Sequence, residues 1–140
     1  MIGKERYRLP IAVQPPPLLS SLPGPTQASL VLIVPLLFGA VCGFLLSESE
    51  AGWWIGNAIA AVGGIAGGYE HATPRSGAAR GALAGLMFGV GIVLADAITA
   101  AGPIPHTPEP IVLLPVLIVI VGAAFGALGG RLRARHEAQA

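Results

Sequence analysis

The sequence predicts an all-α integral membrane protein with four transmembrane helices. Composition is the first observation behind this fold class, because charged residues make up 11% of the 140 residues whereas an ordinary soluble domain has roughly 25%. So little charge does not cover a water-facing surface, and lipid is the expected solvent. The net charge of +1 lacks the broad basic surface that nucleic-acid binding needs, so we expect no nucleic-acid partner.

Long uncharged segments are the second observation. Residues 28–47 and 111–130 each give twenty uncharged positions, which at 1.5 Å per residue cross a hydrocarbon layer about 30 Å thick. Residues 51–69 are also uncharged and have aromatic residues near both ends, as membrane interfaces favour. Residues 79–101 form the remaining predicted span, which is third along the chain and is interrupted by Asp96 near its second end.

The polar ends of the chain flank a membrane domain at 28–131. The lead, residues 1–27, contains many prolines, which disfavour a helix, so we expect it to lie extended along the membrane surface. Docking of this lead on a polyproline-binding groove is the alternative. A cleaved signal peptide is not expected, because its apolar core would fall within the first 15 to 30 residues. Residues 132–140 are predicted to form a C-terminal tail in the cytoplasm.

The distribution of basic residues predicts the orientation. All Lys and Arg residues precede the first span, lie between the second and third, or follow the fourth; they are Lys4, Arg6, Arg8, Arg75, Arg80, Arg131, Arg133 and Arg135. The opposite connections, 47–50 and 101–110, contain no Lys or Arg. By the positive-inside rule, both termini face the cytoplasm. We therefore expect a multi-pass protein of a bacterial-type inner membrane.

Small residues recur at intervals of four in every predicted span. The predicted helix-packing residues are Gly39, Gly43, Gly52, Gly56, Ala60, Gly64, Gly68, Gly77, Gly81, Gly85, Gly89, Gly122, Gly126 and Gly130. Glycine in a helix costs roughly 1 kcal/mol relative to alanine in water, and close backbone approach in lipid offsets that cost. Packing within the chain is the simplest use of these stripes. Four such helices offer more small-residue faces than one bundle needs, which favours a homo-oligomer or a larger complex.

Two pairs of segments suggest an internal duplication. Residues 36–46 resemble 86–95, and residues 62–72 resemble 122–134 around shared small residues. These matches predict two helical hairpins of the same orientation, which is a parallel repeat. Chance similarity between helices rich in Gly and Ala is the alternative explanation.

Three polar residues are candidates for an ion or proton path. Asp96 is an acid within an apolar segment, where an ionised carboxylate costs a few kcal/mol, although it lies near the end of its helix and is equally explained as an interfacial acid. Asn57 lies about one turn inside the second span and is expected to hydrogen-bond to another helix. Glu70 follows the second span and is the third candidate.

The segment 67–81 contains the densest group of ionisable residues between the apolar segments. Thr73 is predicted to cap the third span, with Pro74 at its first position. A catalytic or ligand site here would require Glu70 or His71 to be buried against another helix. Otherwise the segment is a hydrated cytoplasmic turn.

The basic residues near the cytoplasmic ends are expected to meet anionic lipid headgroups. They are Arg75, Arg80, Arg131 and Arg133. No metal site is expected, because Glu70 and His71 are not spaced from His136 and Glu137 in a known ligand pattern, and the second pair lies in a tail that we expect to be frayed.

Motifs for nucleotide, hydrolase, zinc or dinucleotide chemistry are missing from the sequence, so no enzyme activity and no cofactor are expected. Small multidrug exporters are similar in size and helix count, but their Glu in the first membrane helix has no counterpart here. Fluoride channels are similar in an Asn followed by a glycine-rich helix, as in 56–64, but their Phe- and Ser/Thr-rich break in the third helix is missing. No family is identified.

The predicted function is therefore non-enzymatic. We expect an accessory, assembly or scaffold subunit that associates laterally through its GxxxG faces with itself or with a larger membrane complex. The alternative is a small homo-oligomeric channel or transporter that uses Asp96 and Asn57.

Overall fold

The computed structural model describes residues 19–99, 110 and 112–139, and every regular element within them is helical. The predicted all-α class is confirmed. Residues 1–18 of the proline-rich lead and residues 100–109 and 111 of the second outer connection lie outside the described residues. A 3-10 turn at Leu19–Ser21 comes first, and the helices are α1 (Gly24–Ala28), a π-helical turn (Ser29–Ile33), α2 (Val34–Glu48), α3 (Glu50–Tyr69), α4 (Pro74–Thr99) and α5 (Leu113–Glu137).

The first helical segment begins earlier than predicted. An extended lead to residue 27 is wrong, because α1 begins at Gly24 with Pro25 in its first turn, where proline's missing N–H costs nothing. The π-helical turn then joins α1 to α2, and the N–H of Val34 bonds to the carbonyl of Ser29, five residues earlier. Pro35 explains this turn, because its ring clashes with an α-helical carbonyl and it has no N–H to donate.

The first turns of α3 and α4 are capped by hydroxyl side chains. Ser49 accepts a 3.2 Å hydrogen bond from the N–H of Gly52 at the start of α3. Thr73 accepts a 3.2 Å hydrogen bond from the N–H of Ser76 at the start of α4, so the predicted cap at Thr73 is confirmed. Such caps satisfy N–H groups that the first helical turn leaves unpaired.

Two helices are longer than their predicted spans. The third begins at Pro74 instead of residue 79, and the described helix ends at Thr99. The last helix continues to Glu137 instead of ending near residue 130, so most of the predicted tail is helical. The apolar segments set the predicted bounds, whereas a helix continues beyond lipid wherever its backbone hydrogen bonds remain favourable.

The four helical segments pack in the cyclic order α2, α4, α5, α3, and α3 also contacts α4. Contacts between glycines and neighbouring backbone give the directions. Gly39 and Gly43 of α2 meet Phe88 and Ile92 of α4 in the same order, so α2 and α4 run parallel. In the same way α3 runs parallel to α5, whereas α4 and α5 are antiparallel.

The bundle has a side-chain core in one half only. Cys42, Phe88, Ile92 and Leu114 form this buried cluster, and partly buried side chains pack on it. These residues lie in the half that contains Glu48 and the end of α4. In the other half, toward the turn at residues 70–73, glycine backbone replaces side chains at the contacts.

Among the described residues, three helices are long and apolar enough to cross a membrane. They are Gly24–Leu46, Pro74–Thr99 and Leu113–Glu137. The 20-residue helix α3 is not among them. Its six glycines, two tryptophans and Asn57 make it less apolar than the others.

Candidate functional site

The contact between α4 and α5 is made largely by glycine backbone. A Cβ atom built on Gly81 would overlap the carbonyl of Gly122, and one built on Gly122 would overlap the carbonyl of Gly81. Gly77 and Gly126 have the same reciprocal relation one turn away. The two helices therefore approach so closely that neither carries a side chain at these positions.

The same stripe continues along α4 with different partners. A Cβ on Gly85 would lie 2.6 Å from the carbonyl oxygen of Ile118, and one on Gly89 would lie 2.7 Å from the Cα of Pro115. The structure thus places Gly77, Gly81, Gly85 and Gly89 on the face of α4 that meets α5.

A second glycine face of α4 meets α2. A Cβ on Gly39 would overlap the Phe88 backbone, and one on Gly43 would lie 2.9 Å from the carbonyl oxygen of Ile92. Gly91 lies in the same contact, where a Cβ would overlap the carbonyl of Leu36. Gly91 is not among the predicted packing residues, although Gly91 and Ala95 are small residues four apart.

The predicted small-residue stripe on α3 contacts two different helices, α2 in its first half and α5 in its second half. A Cβ on Gly56 would lie 2.6 Å from the sulfur of Cys42 in α2, whereas Gly52 is in ordinary contact, with 3.5 Å between its Cβ position and the Cβ of Leu45. Farther along, Gly64 and Gly68 face α5. Ala60 lies between these groups and packs on the core cluster.

Three helices meet near the turn that joins α3 to α4. A Cβ on Gly68 would overlap the backbone of Gly126, and one on Gly130 would lie 2.9 Å from the carbonyl carbon of Thr73. Gly129, which is not among the predicted packing residues, lies against the backbone of α3 between Ile65 and Tyr69. Its adjacency to Gly130 was the available signal, since two neighbouring glycines give a helix two close-packing faces.

Arg133 connects this turn to α5. Its Nη1 donates a 3.1 Å hydrogen bond to the carbonyl oxygen of Glu70, which is at the C-terminal end of α3. Its Nε also donates to Oε1 of Glu137 at 2.7 Å, which is an ion pair within α5. Arg133 was predicted to face lipid headgroups, and the structure shows that its guanidinium already has two acceptors. Glu137 belongs to the helix and not to a frayed tail.

The turn does not enclose a buried ionisable group. Glu70 and His71 are both half-buried, and no polar or charged residue in the described part of the chain is fully buried. Within those ranges no group of three His, Cys, Asp or Glu side chains is arranged to hold a metal ion. The arrangement matches a hydrated turn more closely than an enclosed site.

The remaining arginines at this end differ in exposure. Arg75 and Arg131 are exposed, whereas Arg80 is half-buried. The Nη2 atom of Arg80 lies 4.0 Å from the position that a Cβ of Gly67 would occupy. Arg80 therefore lies against α3, and the other two point to the surroundings.

The three candidates for an ion path do not converge. Asp96 is near the end of α4, and Glu70 precedes its start at Pro74. About 33 Å of helix axis therefore separates Pro74 from Asp96, at 1.5 Å per residue. Asn57 donates a 2.9 Å hydrogen bond to the carbonyl of Trp53 in its own helix. The expected hydrogen bond from Asn57 to another helix is therefore wrong, because the side chain returns to the carbonyl one turn earlier.

Comparison of the chain with protein-family models gives no match, and searches of curated proteins and of solved structures give none either. The geometry of the bundle is therefore the basis for a functional proposal.

Proposed function

We propose that the protein is a non-enzymatic, four-span subunit of a bacterial-type inner membrane that associates laterally with itself or with a larger membrane complex. The parallel packing of α2 and α4 supports α3 as a fourth membrane-crossing helix, in addition to the three candidate spans. If both helices cross the membrane in the same direction, the chain must return between them. Only α3 and its two short connections link α2 to α4, so α3 makes the return, and its 20 residues span about 30 Å.

Charge at the bundle ends supports an orientation with both termini in the cytoplasm. The end formed by the turn and the last residues of α5 carries Arg75, Arg80, Arg131, Arg133 and Arg135. The opposite end carries Glu48, Glu50 and Asp96, with no Lys or Arg in the described residues there. This asymmetry satisfies the positive-inside rule.

The apolar interior of the bundle is the main support for a role as a subunit. The interior consists of an apolar side-chain cluster in one half and glycine backbone contacts along both halves, without a fully buried polar or charged residue among those described. Reacting or transported polar molecules need convergent polar groups. A protein with this interior instead offers its outer faces to other membrane components.

The outer face of α3 is the lateral surface that we propose. Trp54, Ile55, Ile59 and Val62 are all more than half exposed, and exposed alanines at 58 and 66 share this side of the helix. Alternating large and small residues permit close helix packing in lipid. α3 is also the long helix that is not apolar enough to be counted among the candidate spans, so a protein neighbour shields a helix that gains less from lipid. The predicted glycine faces of α4 and α5 are already used within the chain.

Crosslinking and co-purification from native membranes test this function. We expect Ala58→Cys to form a crosslink to a second copy or to one reproducible partner band. Val116→Cys, on the exposed face of α5, is the matched control and is expected to form neither. Equal crosslinking at both positions, or none at position 58 with a monomeric protein, would remove the basis for a subunit.

Flux measurements distinguish the channel alternative. No observation in the described residues favours a path over a packing role for Asp96 and Asn57. Proteoliposomes with the wild-type chain are expected to show no ion or proton flux above that of empty liposomes. Flux that Asp96→Asn abolishes and Asp96→Glu retains would replace the subunit proposal by a channel.

A further inference from the structure

One side of α3 loses its cover halfway along the helix. Gly56 and Gly63 are seven residues apart, so they lie on the same side of α3 two turns from each other. At Gly56 that side is closed by Cys42 of α2, whereas a Cβ on Gly63 would have no heavy atom of the described residues within 4 Å. Helix α2 therefore covers α3 near Glu48 and leaves it open toward the turn.

Arg80 lies at the end of this open side. Gly67 is one turn after Gly63, and the Nη2 atom of Arg80 is 4.0 Å from its Cβ position. We name the surface formed by Gly63, Gly67 and Arg80 the Gly63 notch. The guanidinium of Arg80 thus lies at contact distance from α3 at Gly67, next to the open surface at Gly63.

The guanidinium in the notch has no hydrogen-bond acceptor within residues 19–99 and 112–139. Glu70 attracts it electrostatically, but no ion pair joins the two, unlike Arg133 and Glu137 at 2.7 Å. A guanidinium has five N–H donors, and a half-buried one gains strongly from an anionic acceptor. Arg133 at the same end, in contrast, has two acceptors.

The depth of Arg80 matches the level of lipid phosphates in the proposed orientation. Arg80 is six residues after Pro74, which is about 9 Å along the helix axis. Long helical side chains point toward the helix N-terminus, here the cytoplasmic end. The guanidinium thus reaches the headgroup level, and the uncharged surface at Gly63 lies deeper in the membrane.

We propose that the Gly63 notch binds one anionic phospholipid of the cytoplasmic leaflet. Arg80 holds the phosphate, and one acyl chain lies along α3 over Gly63. A phospholipid is the occupant whose chemistry has both parts, an anion at the level of Arg80 and a long apolar chain below it. The proposal rests on the orientation given under the proposed function.

Spin-labelled lipids in liposomes that contain the full-length chain test the proposal. We expect labelled phosphatidylglycerol to associate about fivefold more strongly than labelled phosphatidylcholine, the order expected for one arginine near an anionic surface. Arg80→Gln is expected to remove this preference, and Arg80→Lys to retain part of it. Arg75→Gln is the matched control, because Arg75 is exposed at the same end without a notch, and the preference should persist.

A second variant tests the notch separately from the charge. Gly63→Leu fills space that is open in the fold, so it should leave helicity unchanged and weaken phosphatidylglycerol association. Equal preference in wild type and Arg80→Gln, or equal loss in Arg75→Gln, would overturn the proposal. Competition by inorganic phosphate as strong as by phosphatidylglycerol would also overturn it, because the acyl chain would then have no role.

A measurement in intact cells separates this proposal from the orientation on which it rests. Side-specific labelling of an Ala72→Cys variant there reports the orientation independently of lipid preference. A cytoplasmic label with no dependence on Arg80 refutes the notch alone. An external label refutes the orientation and, with it, the assignment of the lipid to the cytoplasmic leaflet.

Discussion

Gly81 of α4 and Gly122 of α5 lie so close that a methyl group on either residue would overlap the carbonyl oxygen of the other. This reciprocal contact joins two helices at backbone distance. Between apolar helices in lipid there is no hydrophobic driving force, so van der Waals contact and Cα–H···O bonds must supply the attraction. The contact is therefore expected to be sensitive to any added atom.

Larger residues at this contact should destabilise the bundle. We expect Gly81→Leu to lower the free energy of unfolding by at least about 1–3 kcal/mol, the usual cost of overpacking, because the nearby backbone has no room to move aside. Thermal unfolding in detergent, followed by circular dichroism, measures the effect. Gly63→Leu is the control, since its position is open. Equal melting temperatures for the two variants would show that glycine contacts do not stabilise the bundle.

Arg133 should contribute to the stability of the turn at residues 70–73. Arg133→Gln is expected to cost about 1 kcal/mol, within the range for hydrogen bonds, because the Glu70 carbonyl loses its donor. Arg135→Gln, an exposed position on the same helix, should have little effect. Chemical unfolding in detergent measures both.

A further variant separates the two contacts of Arg133. Glu137→Gln removes the ion pair but retains the bond to Glu70. It should cost no more than a few tenths of a kcal/mol, since exposed pairs four residues apart on a helix contribute little. A larger effect of Glu137→Gln than of Arg133→Gln would contradict this assignment.

The contribution of the Thr73 cap to stability should be measurable separately from that of the rest of the turn. Thr73→Ala is expected to cost about 1 kcal/mol, because the N–H of Ser76 loses its acceptor. Thr73→Ser keeps the hydroxyl and should retain most of the stability. Hydrogen exchange of the first turn of α4 is the measurement, and faster exchange in both variants alike would argue against the cap.

The helical class could be predicted from the sequence because the low content of charged residues and the long uncharged segments are both visible in it. The cap at Thr73 was also predictable, since Thr followed by Pro is a local signal. The start of α1 at Gly24 could not be predicted. Prolines at 23 and 25 are typical of an extended segment, and the sequence does not indicate that Pro25 lies in the first turn of a helix.

Contacts between residues that are distant in the chain could not be predicted from the sequence. Spacing predicts which small residues share a face, but not whether that face meets a helix or open space, as Gly63 shows. The hydrogen bond from Arg133 to Glu70 joins residues 63 positions apart, and no local pattern indicates it. Asn57 showed the opposite case, where a polar residue expected to reach another helix bonds within its own turn.

Side-specific labelling of single cysteines tests the four-span account most directly. The wild-type chain is the blank, because Cys42 is fully buried and should not react in intact cells. Ser49→Cys, Ala72→Cys and Ala138→Cys report the two ends of α3 and the end of α5. A membrane-impermeant maleimide should label position 49 from outside the inner membrane, and positions 72 and 138 only after the membrane is opened. Labelling of positions 49 and 72 from the same side would show that α3 does not cross the membrane.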